Sequence, residues 1–416
     1  MKTRIFILLT VGFVFSINSC NSDLMDNTDG KPAQPIELTL KQVEKVSADN
    51  RFSFAMFREI SALNDKPNTF FSPLSLHFAL GMLYNGASGE TRTEMAEVLG
   101  MSNFTDIEIN EYYRKISQAL LKIDPQTDIT IANSIWYRSG FPVKQPFKDV
   151  NKKYFDASVQ SLDFNKPDAA DIINKWCSDK TKKRITEIVQ KPIDSNTMIY
   201  LINALYFKSK WSLYTKFDKA DTKQGDFTKA DLSLMKVNLM EQKNTLPYYA
   251  DDSVQCIELS YGNLAFSMVL MLGSNGMDID RLIDFLDDST WQNIMAKMRG
   301  QKVWLKLPRF KTECEMNLVK PLYNIGMRRI FVGGFTNISD GDLAVSVIKQ
   351  KTFVEVNEEG TEAAAITAIG MEGANFNSNE QLEPVQFFAD RPFLYLIKER
   401  STGAILFIGR MDEPNE

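Results

Sequence analysis

Apolar side chains recur at helical spacing near the start and in the middle of the chain, which predicts amphipathic helices. The first such set is Phe52, Met56, Ile60 and Leu63. Ser72 and Pro73 then supply an N-cap and a first-turn proline for a helix that runs to Tyr84. Residues 171–189 place Ile173, Trp176 and Ile185 roughly on one helical face, and Leu318, Leu322 and Ile325 predict a short helix.

A different pattern, rich in strand-forming residues, marks residues 197–207. The run TMIYLINALYF is apolar on both alternating faces, which is typical of a central strand covered on both sides. Asn203 lies inside it, and a buried amide there needs hydrogen-bond partners. Further strands are predicted at 129–137, 266–272, 303–307 and 353–356, with a closing hairpin of 393–397 and 404–408.

One long segment shows neither the helical spacing of apolar residues nor the alternation of a strand. Residues 360–384 are small and polar, and they lie between two well-marked strands. A loop of this length inside a folded domain is usually functional or disordered. No repeat or interdomain linker interrupts residues 46–412, so we expect a single α+β domain.

The composition limits the kinds of partner that the chain is expected to bind. The chain has 416 residues, 44% of them hydrophobic and 24% charged, with a formal net charge of −5. Acidic and basic residues are interleaved, so nothing favours a nucleic-acid partner.

The N-terminal residues are typical of an export signal. Lys2 and Arg4 precede an apolar run too short for the about 20 residues that a membrane-spanning helix needs. Ser19-Cys20 then resembles a bacterial lipobox, so we expect residues 1–19 to be a lipoprotein signal peptide and Cys20 to carry a lipid. An ordinary signal peptide with a coincidental cysteine is the alternative. Residues 20–45 are expected to be a flexible tether.

The remaining thiols and the single histidine limit the possible chemistry. Cys177, Cys256 and Cys314 are odd in number and lie among apolar residues, which favours buried free thiols. His77 is the only histidine and lies in a helical apolar pattern, so we expect it to be packed or at the solvent edge of a helix, and not catalytic. One histidine excludes multi-histidine metal sites and leaves His77 as the only base for an ordinary triad. We expect no enzyme activity, no metal and no cofactor.

Four longer motifs, in a fixed order, resemble the serpin family. They are Asn68–Ser75 (NTFFSPLS), Asn203–Trp211 (NALYFKSKW), Phe353–Ala365 (FVEVNEEGTEAAA) and Phe387–Phe393 (FFADRPF). The resemblance implies three β-sheets, about nine helices and an exposed reactive loop at about 358–386. It also implies a suicide-substrate mechanism, in which a cleaved loop inserts into the main sheet as a strand.

By the same resemblance, particular residues acquire roles. The hinge of the loop would consist of Glu358, Gly360, Thr361, Ala363, Ala364 and Ala365. Trp211 and Arg309 would lie at the end of the sheet where insertion begins, Arg309 beside Glu358. Ser72, Ser75 and Asn203 would meet in a buried cluster that controls opening of the sheet. Gln350 stands there in place of a histidine found in many relatives, and its neutral amide cannot titrate.

The loop sequence is compatible with insertion. Alternation along a strand puts Thr361, Ala363, Ala365, Thr367, Ile369, Met371 and Gly373 on one face, and none of them is charged. Glu362 and Glu372 fall on the other face with Ala364, Ile366, Ala368 and Gly370. No proline precedes Pro384, so the ladder would not be interrupted.

Family spacing puts the cleaved bond between Ala374 and Asn375, with Met371 and Phe376 as fallback sites. Ala374 suits the small primary pocket of an elastase-like enzyme. No lysine or arginine occurs between Glu358 and Asp390. Trypsin-like targets are therefore disfavoured in any register.

These observations predict an inhibitor that forms a covalent complex with a serine protease. We expect it to be monomeric and anchored through its lipid in the cell envelope or outer membrane, with surface exposure or secretion as further options. A non-inhibitory serpin acting as a carrier is the alternative, and a lipoprotein enzyme is a third hypothesis that the single histidine opposes. The sequence does not identify the target protease.

Overall fold

Nine helices surround two hydrogen-bonded strand networks in the part of the chain that the computed structural model describes, residues 32–361 and 383–416. The helices are α1 (Leu40–Leu63), α2 (Pro73–Tyr84), α3 (Gly89–Val98), α4 (Asp106–Leu120), α5 (Gln145–Phe155), α6 (Ala169–Lys180), α7 (Ile279–Phe285), α8 (Asp288–Lys297) and α9 (Val319–Asn324). None of these described helices is long and apolar enough to cross a membrane.

The strands are β1 (Thr69–Phe71), β2 (Asp128–Arg138), β3 (Ser158–Leu162), β4 (Ile199–Lys210), β5 (Lys223–Thr228), β6 (Leu234–Ala250), β7 (Val254–Ser260), β8 (Phe266–Gly273), β9 (Arg299–Pro308), β10 (Phe310–Asn317), β11 (Lys349–Asn357), β12 (Gly360–Thr361), β13 (Val385–Phe388), β14 (Phe393–Glu399) and β15 (Ile405–Met411). Six of them form the main sheet, in the order β10-β11-β12-β4-β2-β3. Its neighbouring strands are antiparallel except for β2 and β3.

The other nine strands form two sheets that share one long strand. The first part of β6 pairs with β5 and β9, and its last residues, Tyr248–Ala250, pair with β7. Beyond β7 the order continues through β8, β14 and β15 to β1. Together with the main sheet, this gives the three-sheet α+β architecture that the sequence motifs imply.

Strand β4 is covered on both faces, as its unbroken apolar run predicts. Leu205 and Phe207 belong to the large core between the main sheet and α2. On the opposite face, Ala204 packs with Cys177 of α6 and with Ile185. The three cysteines are free and buried, which confirms the prediction made for them.

The structure corrects the helix predicted for residues 171–189. Helix α6 ends at Lys180, and Lys182 and Lys183 adopt positive φ angles that an α-helix does not allow. Thr181 fixes the break, since its hydroxyl donates to the carbonyl of Cys177 and accepts from the amide of Ile185. Ile185 therefore packs against the sheet from a loop and not from the helix.

Helix α1 begins inside the stretch predicted as a tether. Thr39 and Gln42 form a capping box that starts the helix at Leu40. Before it, the amide of Ala33 donates to the carbonyl of Asn263, and that of Ile36 donates to Ser401 Oγ. Residues 32–45 are therefore ordered against the domain. The predicted signal peptide and Cys20 lie outside the described residues.

Candidate functional site

The site centres on β12, whose described residues Gly360 and Thr361 are held between two long strands of the main sheet. Thr361 pairs with Val356 of β11 and with Ser209 of β4, both antiparallel. Gly360 pairs with Asn357 and Lys210 one position earlier. Gly360 has φ +144°, and a Cβ there would lie 2.2 Å from the carbonyl oxygen of Ser209. Only glycine fits this turn into the sheet.

Thr361 points into the core. It is 2% exposed, and its hydroxyl lies 2.5 Å from the hydroxyl of Tyr261. The Tyr261 ring stacks on Trp211 with centroids 4.6 Å apart. The Trp211 indole nitrogen in turn donates to the carbonyl of Asn357, at 2.8 Å. The residue that starts the loop is therefore tied to both the sheet and the core.

Strands β4 and β11 do not pair directly in the described part of the chain; only β12 bridges them. Farther down, a cavity of about 290 Å³ lies between the lower ends of these strands and helix α2. Its walls include Ile199–Asn203 of β4, Lys349–Lys351 of β11 and Ser75 of α2. Within the described residues the sheet therefore has a gap between β4 and β11, and Gly360 and Thr361 occupy its upper end.

Part of the predicted buried cluster is present at the bottom of this gap. Gln350 Oε1 accepts from the amide of Ser72 and its Nε2 donates to the carbonyl of Ser72, both at 2.8 Å. The Ser72 hydroxyl caps α2 by accepting from the amide of Ser75 at 3.2 Å. Gln350 thus joins β11 to the start of α2 through a pair of hydrogen bonds.

Asn203 departs from the prediction that it meets Ser72 and Ser75. It lines the same cavity, but its amide nitrogen donates to Asn133 of β2, at 2.8 Å. Its Oδ1 is buried and accepts no hydrogen bond in the described structure. The physical reason is the gap itself, because it separates β4 from the strand and helix that carry Gln350 and Ser72.

Glu358 and Arg309 form the ion pair expected at the upper end of the sheet. Glu358 Oε1 accepts from Arg309 Nε at 2.8 Å and lies 2.6 Å from Nη2. Thr222 donates to the same oxygen. Burial acts to raise the pKa of Glu358, but the hydrogen bonds from Arg309 and Thr222 outweigh it, and the pKa lies below its usual value. The Glu358 side chain is 2% exposed and the Arg309 side chain 32%, so a buried carboxylate is paired with a partly exposed guanidinium.

The loop after α6 closes the outer side of the gap. Ile185 packs towards β4, and the guanidinium of Arg184 lies 4.5 Å from the ring centroid of Phe353 on β11. Arg184 Nη2 also lies 4.0 Å from Glu355 Oε2. We call residues 181–189 the strap, because they contact the strands on both sides of the gap.

Several predicted site residues lie outside the described residues: Cys20, Ala363, Ala364, Ala365, Met371, Ala374, Asn375 and Phe376. Conversely, sequence reasoning missed Tyr261, Thr222 and Arg184. Tyr261 directly follows β7 and precedes Gly262, and that pattern signals a turn but not a contact with a residue 100 positions later. No local signal marks Thr222 or Arg184.

The described residues offer neither a hydrolytic centre nor a metal centre. His77 is 1% exposed and packs under α1, where its Nε2 lies 3.1 Å from the carbonyl oxygen of Asp49. No cluster of three or more potential metal-ligating side chains occurs within residues 32–361 and 383–416. The described residues instead form a gap between β4 and β11, and β12 occupies the upper end of this gap.

Comparison with known proteins gives matches over nearly the whole chain. The model of the family described as "Serpin (serine protease inhibitor)" matches residues 47–414. Iripin-3 of Ixodes ricinus is 35% identical over 356 residues, which cover 83% of this chain and 88% of that protein. The native structure of the thermophilic serpin tengpin aligns with a TM-score of 0.80 and 28% identity, covering 94% of this chain and 99% of that one. Thyroxine-binding globulin in complex with thyroxine aligns with a TM-score of 0.79 at 24% identity, covering 89% and 99%, which shows a shared fold.

Proposed function

The chain belongs to the serpin family, and we propose that it is an irreversible suicide-substrate inhibitor of serine endopeptidases. Family membership supports the role of a protease inhibitor over that of an enzyme. The proposal adds the mechanism and the class of target. The observation that carries it is the pairing of Gly360 and Thr361 between β11 and β4.

The chemistry would be supplied by the target protease. Its serine hydroxyl attacks the carbonyl carbon of Ala374, the bond to the nitrogen of Asn375 breaks, and the new amine leaves with a proton. The product is an ester that joins the inhibitor to the protease. Water would normally hydrolyse this ester, so inhibition requires that the loop insert first and deform the attached protease.

The pairing of Thr361 fixes the register that insertion would follow. Counting on from Thr361, residue 363 would lie between Phe207 and Val354, and residue 365 between Leu205 and Thr352. Alanine at both positions is small enough for this core-facing row. Glu362 would face outward between Lys208 and Glu355, with an opposite charge on one side and a like charge on the other. If about a dozen ladder bonds formed at about 1 kcal/mol each, insertion would release on the order of 10 kcal/mol.

In the same register, Thr367 of an inserted loop would lie between Asn203 of β4 and Gln350 of β11. Asn203 Oδ1 is a buried acceptor without a hydrogen bond in the described structure, and a buried polar group in that condition is costly. The hydroxyl of Thr367 is a donor of suitable size for it. An unmet hydrogen bond in the lower gap therefore supports insertion of this loop in this register.

Target specificity follows from the loop sequence. Ala374, with Met371 and Phe376 as fallback sites, favours elastase-like, chymotrypsin-like or subtilisin-like enzymes with a small or apolar primary pocket. The absence of lysine and arginine between Glu358 and Asp390 disfavours trypsin-like enzymes. We also propose that a lipid on Cys20 anchors the inhibitor in the cell envelope.

The direct test is incubation of the purified domain with pancreatic elastase, followed by denaturing electrophoresis. We expect an SDS-stable complex at the summed mass, and cleavage between Ala374 and Asn375 in the released fragment. Trypsin serves as the control and should give no complex. Cleavage without any stable complex, by every protease of the favoured classes, would favour the carrier alternative, for which the thyroxine-binding relative shows that the fold is suitable.

The anchor needs a separate test, since it is independent of inhibition. A Cys20→Ser variant of the full chain, expressed in a Gram-negative host, should move from the membrane fraction to the soluble fraction. The parent chain should incorporate radiolabelled palmitate and the variant should not. Equal membrane partition of the two proteins would rule out lipidation at Cys20.

A further inference from the structure

An aromatic and basic surface lies on the outer face of the sheet formed by β6, β9 and β13. Register places its residues side by side: Trp304 of β9 lies opposite Lys243 of β6 and Gln386 of β13, and Lys306 lies opposite Phe388. Lys302 lies on the same face of β9, two residues before Trp304. We call this surface the β9 patch; it consists of Lys243, Lys302, Trp304, Lys306 and Phe388.

The aromatic rings of the patch are held in a fixed arrangement. Trp304 and Phe388 pack edge to face, with centroids 5.1 Å apart. The indole nitrogen of Trp304 donates to Glu241 at 2.7 Å, and Lys243 Nζ lies 4.3 Å from the Trp304 ring centroid. A half-buried tryptophan that is already oriented loses little freedom on binding, which is a property of interface anchors.

The charge of the patch is unbalanced. Among the described residues, Glu241 is the one carboxylate in contact with the patch, and it already accepts from Trp304 and lies 3.9 Å from Lys306 Nζ. Lys243 and Lys302 are exposed, and no carboxylate of the described residues is within ion-pair distance of either. On a chain of net charge −5, this local excess of positive charge fits a partner whose contact surface is acidic.

The position of the patch identifies the partner. Strand β13 is the edge strand of this sheet and begins at Val385, within the predicted end of the reactive loop. A macromolecule that holds the chain just before Val385 would lie close to the β9 patch. We propose that the β9 patch is a second contact site for the target protease, and that it selects enzymes with an acidic, partly apolar surface beside the active-site cleft. This inference rests on the proposed inhibitory function.

The test measures association rate constants with two forms of one protease. Pancreatic elastase is used as it is and after succinylation, which converts lysine ammonium groups into carboxylates while the primary pocket stays the same. The variants are Trp304→Ala and the double change Lys243→Glu with Lys302→Glu. The matched control reverses Lys152 and Lys153, which are exposed on α5, a helix that packs on α2, α4 and β3.

We expect the β9 double variant to associate roughly three- to ten-fold more slowly with succinylated elastase, with a weaker dependence on salt. Its rate with untreated elastase should be unchanged or higher. Trp304→Ala should slow association with the succinylated enzyme, and the α5 control should match the parent. Thermal unfolding of each variant checks the fold, and the exposed lysine pair keeps the test valid if Trp304→Ala is unstable.

Three outcomes separate the hypotheses. If no protein, including the parent, forms a stable complex with either elastase, the inhibitory function itself fails. If the parent inhibits and the β9 variants associate at the parental rate with both enzymes, the second contact site is wrong. If the variants instead lose binding to phosphatidylglycerol vesicles while inhibition is unchanged, the patch contacts a membrane, and the inference is overturned.

Discussion

At the scale of single residues, the least expected feature is a buried polar cluster around His77. Lys45 and Asp49 of α1 form an ion pair, and the Asp49 carboxylate also accepts from Tyr112 at 2.8 Å. His77 Nδ1 lies 3.3 Å from the same carboxylate. The cluster joins α1, α2 and α4. The helical apolar pattern predicted that His77 would be packed or at the solvent edge of a helix, but not that it would lie buried beside charges.

This cluster predicts a pH-dependent stability. Burial lowers the pKa of His77 to about 4, only partly offset by Asp49, while Lys45 lowers it further. The unfolded chain, with an ordinary histidine pKa of about 6.5, binds the proton more readily. The contribution of neutral His77 to the free energy of unfolding is therefore fully present above about pH 6.5. It is lost as the pH drops towards 4, which lowers the free energy of unfolding by about 3 kcal/mol.

Thermal unfolding of the parent and a His77→Gln variant from pH 7.5 to pH 4.5 checks this prediction. The midpoint of the parent should fall more steeply between pH 6.5 and pH 4.5 than that of the variant. Tyr112 and Tyr113, which face the same cluster, have raised pKa values because of their burial and do not titrate in this range. Parallel curves would show that His77 is not the titrating group.

Thr361 carries the second prediction at this scale. Its side chain already lies in the core against Tyr261, so Thr361→Arg would bury an unpaired guanidinium at a cost of several kcal/mol. Insertion should slow until hydrolysis of the acyl-enzyme overtakes it, and the inhibitor should become a substrate. The measurement is the stoichiometry of elastase inhibition, with Thr361→Ser as the matched control because serine keeps the hydroxyl. A parental stoichiometry for Thr361→Arg would argue against insertion as the mechanism.

At the scale of elements, the sequence predicted the helices and strands in which the repeat of apolar residues coincides with the face that is buried. The N-cap Ser72 with Pro73 placed α2 correctly, and the hairpin of β14 and β15 follows its prediction. Helix α6 ended earlier than its pattern indicates, because Ile185 has the right spacing but reaches the sheet from a loop. The spacing of apolar residues indicates which side chains face the core, but it does not determine the backbone conformation between them.

Other elements gave no usable signal. Strand β6 is long and serves two sheets, so its burial pattern changes along its length and shows no single alternation. The gap between β4 and β11 was beyond prediction as well, because it depends on the relative position of strands about 150 residues apart. The resemblance of the motifs identified the hinge, and the structure revealed the partners of Thr361 and the position of Asn203.

The strap makes the prediction that belongs to this scale. An inserting strand must pass beneath residues 181–189, and Arg184 holds them against Phe353 and Glu355 of β11. A cation–π contact of this kind is worth about 1 kcal/mol, so Arg184→Ala should speed insertion roughly five-fold. The readout is the rate at which warmed inhibitor converts to an inactive, loop-inserted form, with the neighbouring Lys183→Ala as control. A slower conversion in Arg184→Ala would mean that the strap supports the inserted strand instead of restraining its entry.

At the scale of the whole molecule, the structure is a sheet that must stay closed to outside strands while remaining able to admit its own loop. An edge or gap that presents unpaired backbone groups can pair with a strand of another chain. In this molecule the upper end of the gap is closed by β12 and by the turn that Glu358 fixes to Arg309 and Thr222. Loss of the contacts that Glu358 makes with Arg309 and Thr222 should open the gap to the reactive loop of a second copy.

We therefore predict that Glu358→Lys promotes loop–sheet polymers on warming. The substitution places an ammonium group beside the Arg309 guanidinium in a site where the native carboxylate is 2% exposed, so the repulsion and the burial of charge act together. An added Arg309→Glu change restores opposite charges and should partly reverse the effect. The reversal is limited because Glu416, whose Oε2 lies 3.9 Å from Arg309 Nη1, would then face a like charge.

Native gels of the parent, Glu358→Lys and the double variant, after incubation a few degrees below the unfolding midpoint, make the comparison. The expected order of polymer content is Glu358→Lys, then the double variant, then the parent. Equal polymer ladders for the single and double variants would show that the two residues are not coupled. A Glu358→Gln variant separates the two causes, because it keeps the shape and removes the charge. If it polymerises as much as Glu358→Lys, loss of the hydrogen-bonded carboxylate is sufficient, and repulsion adds nothing to the opening of the sheet.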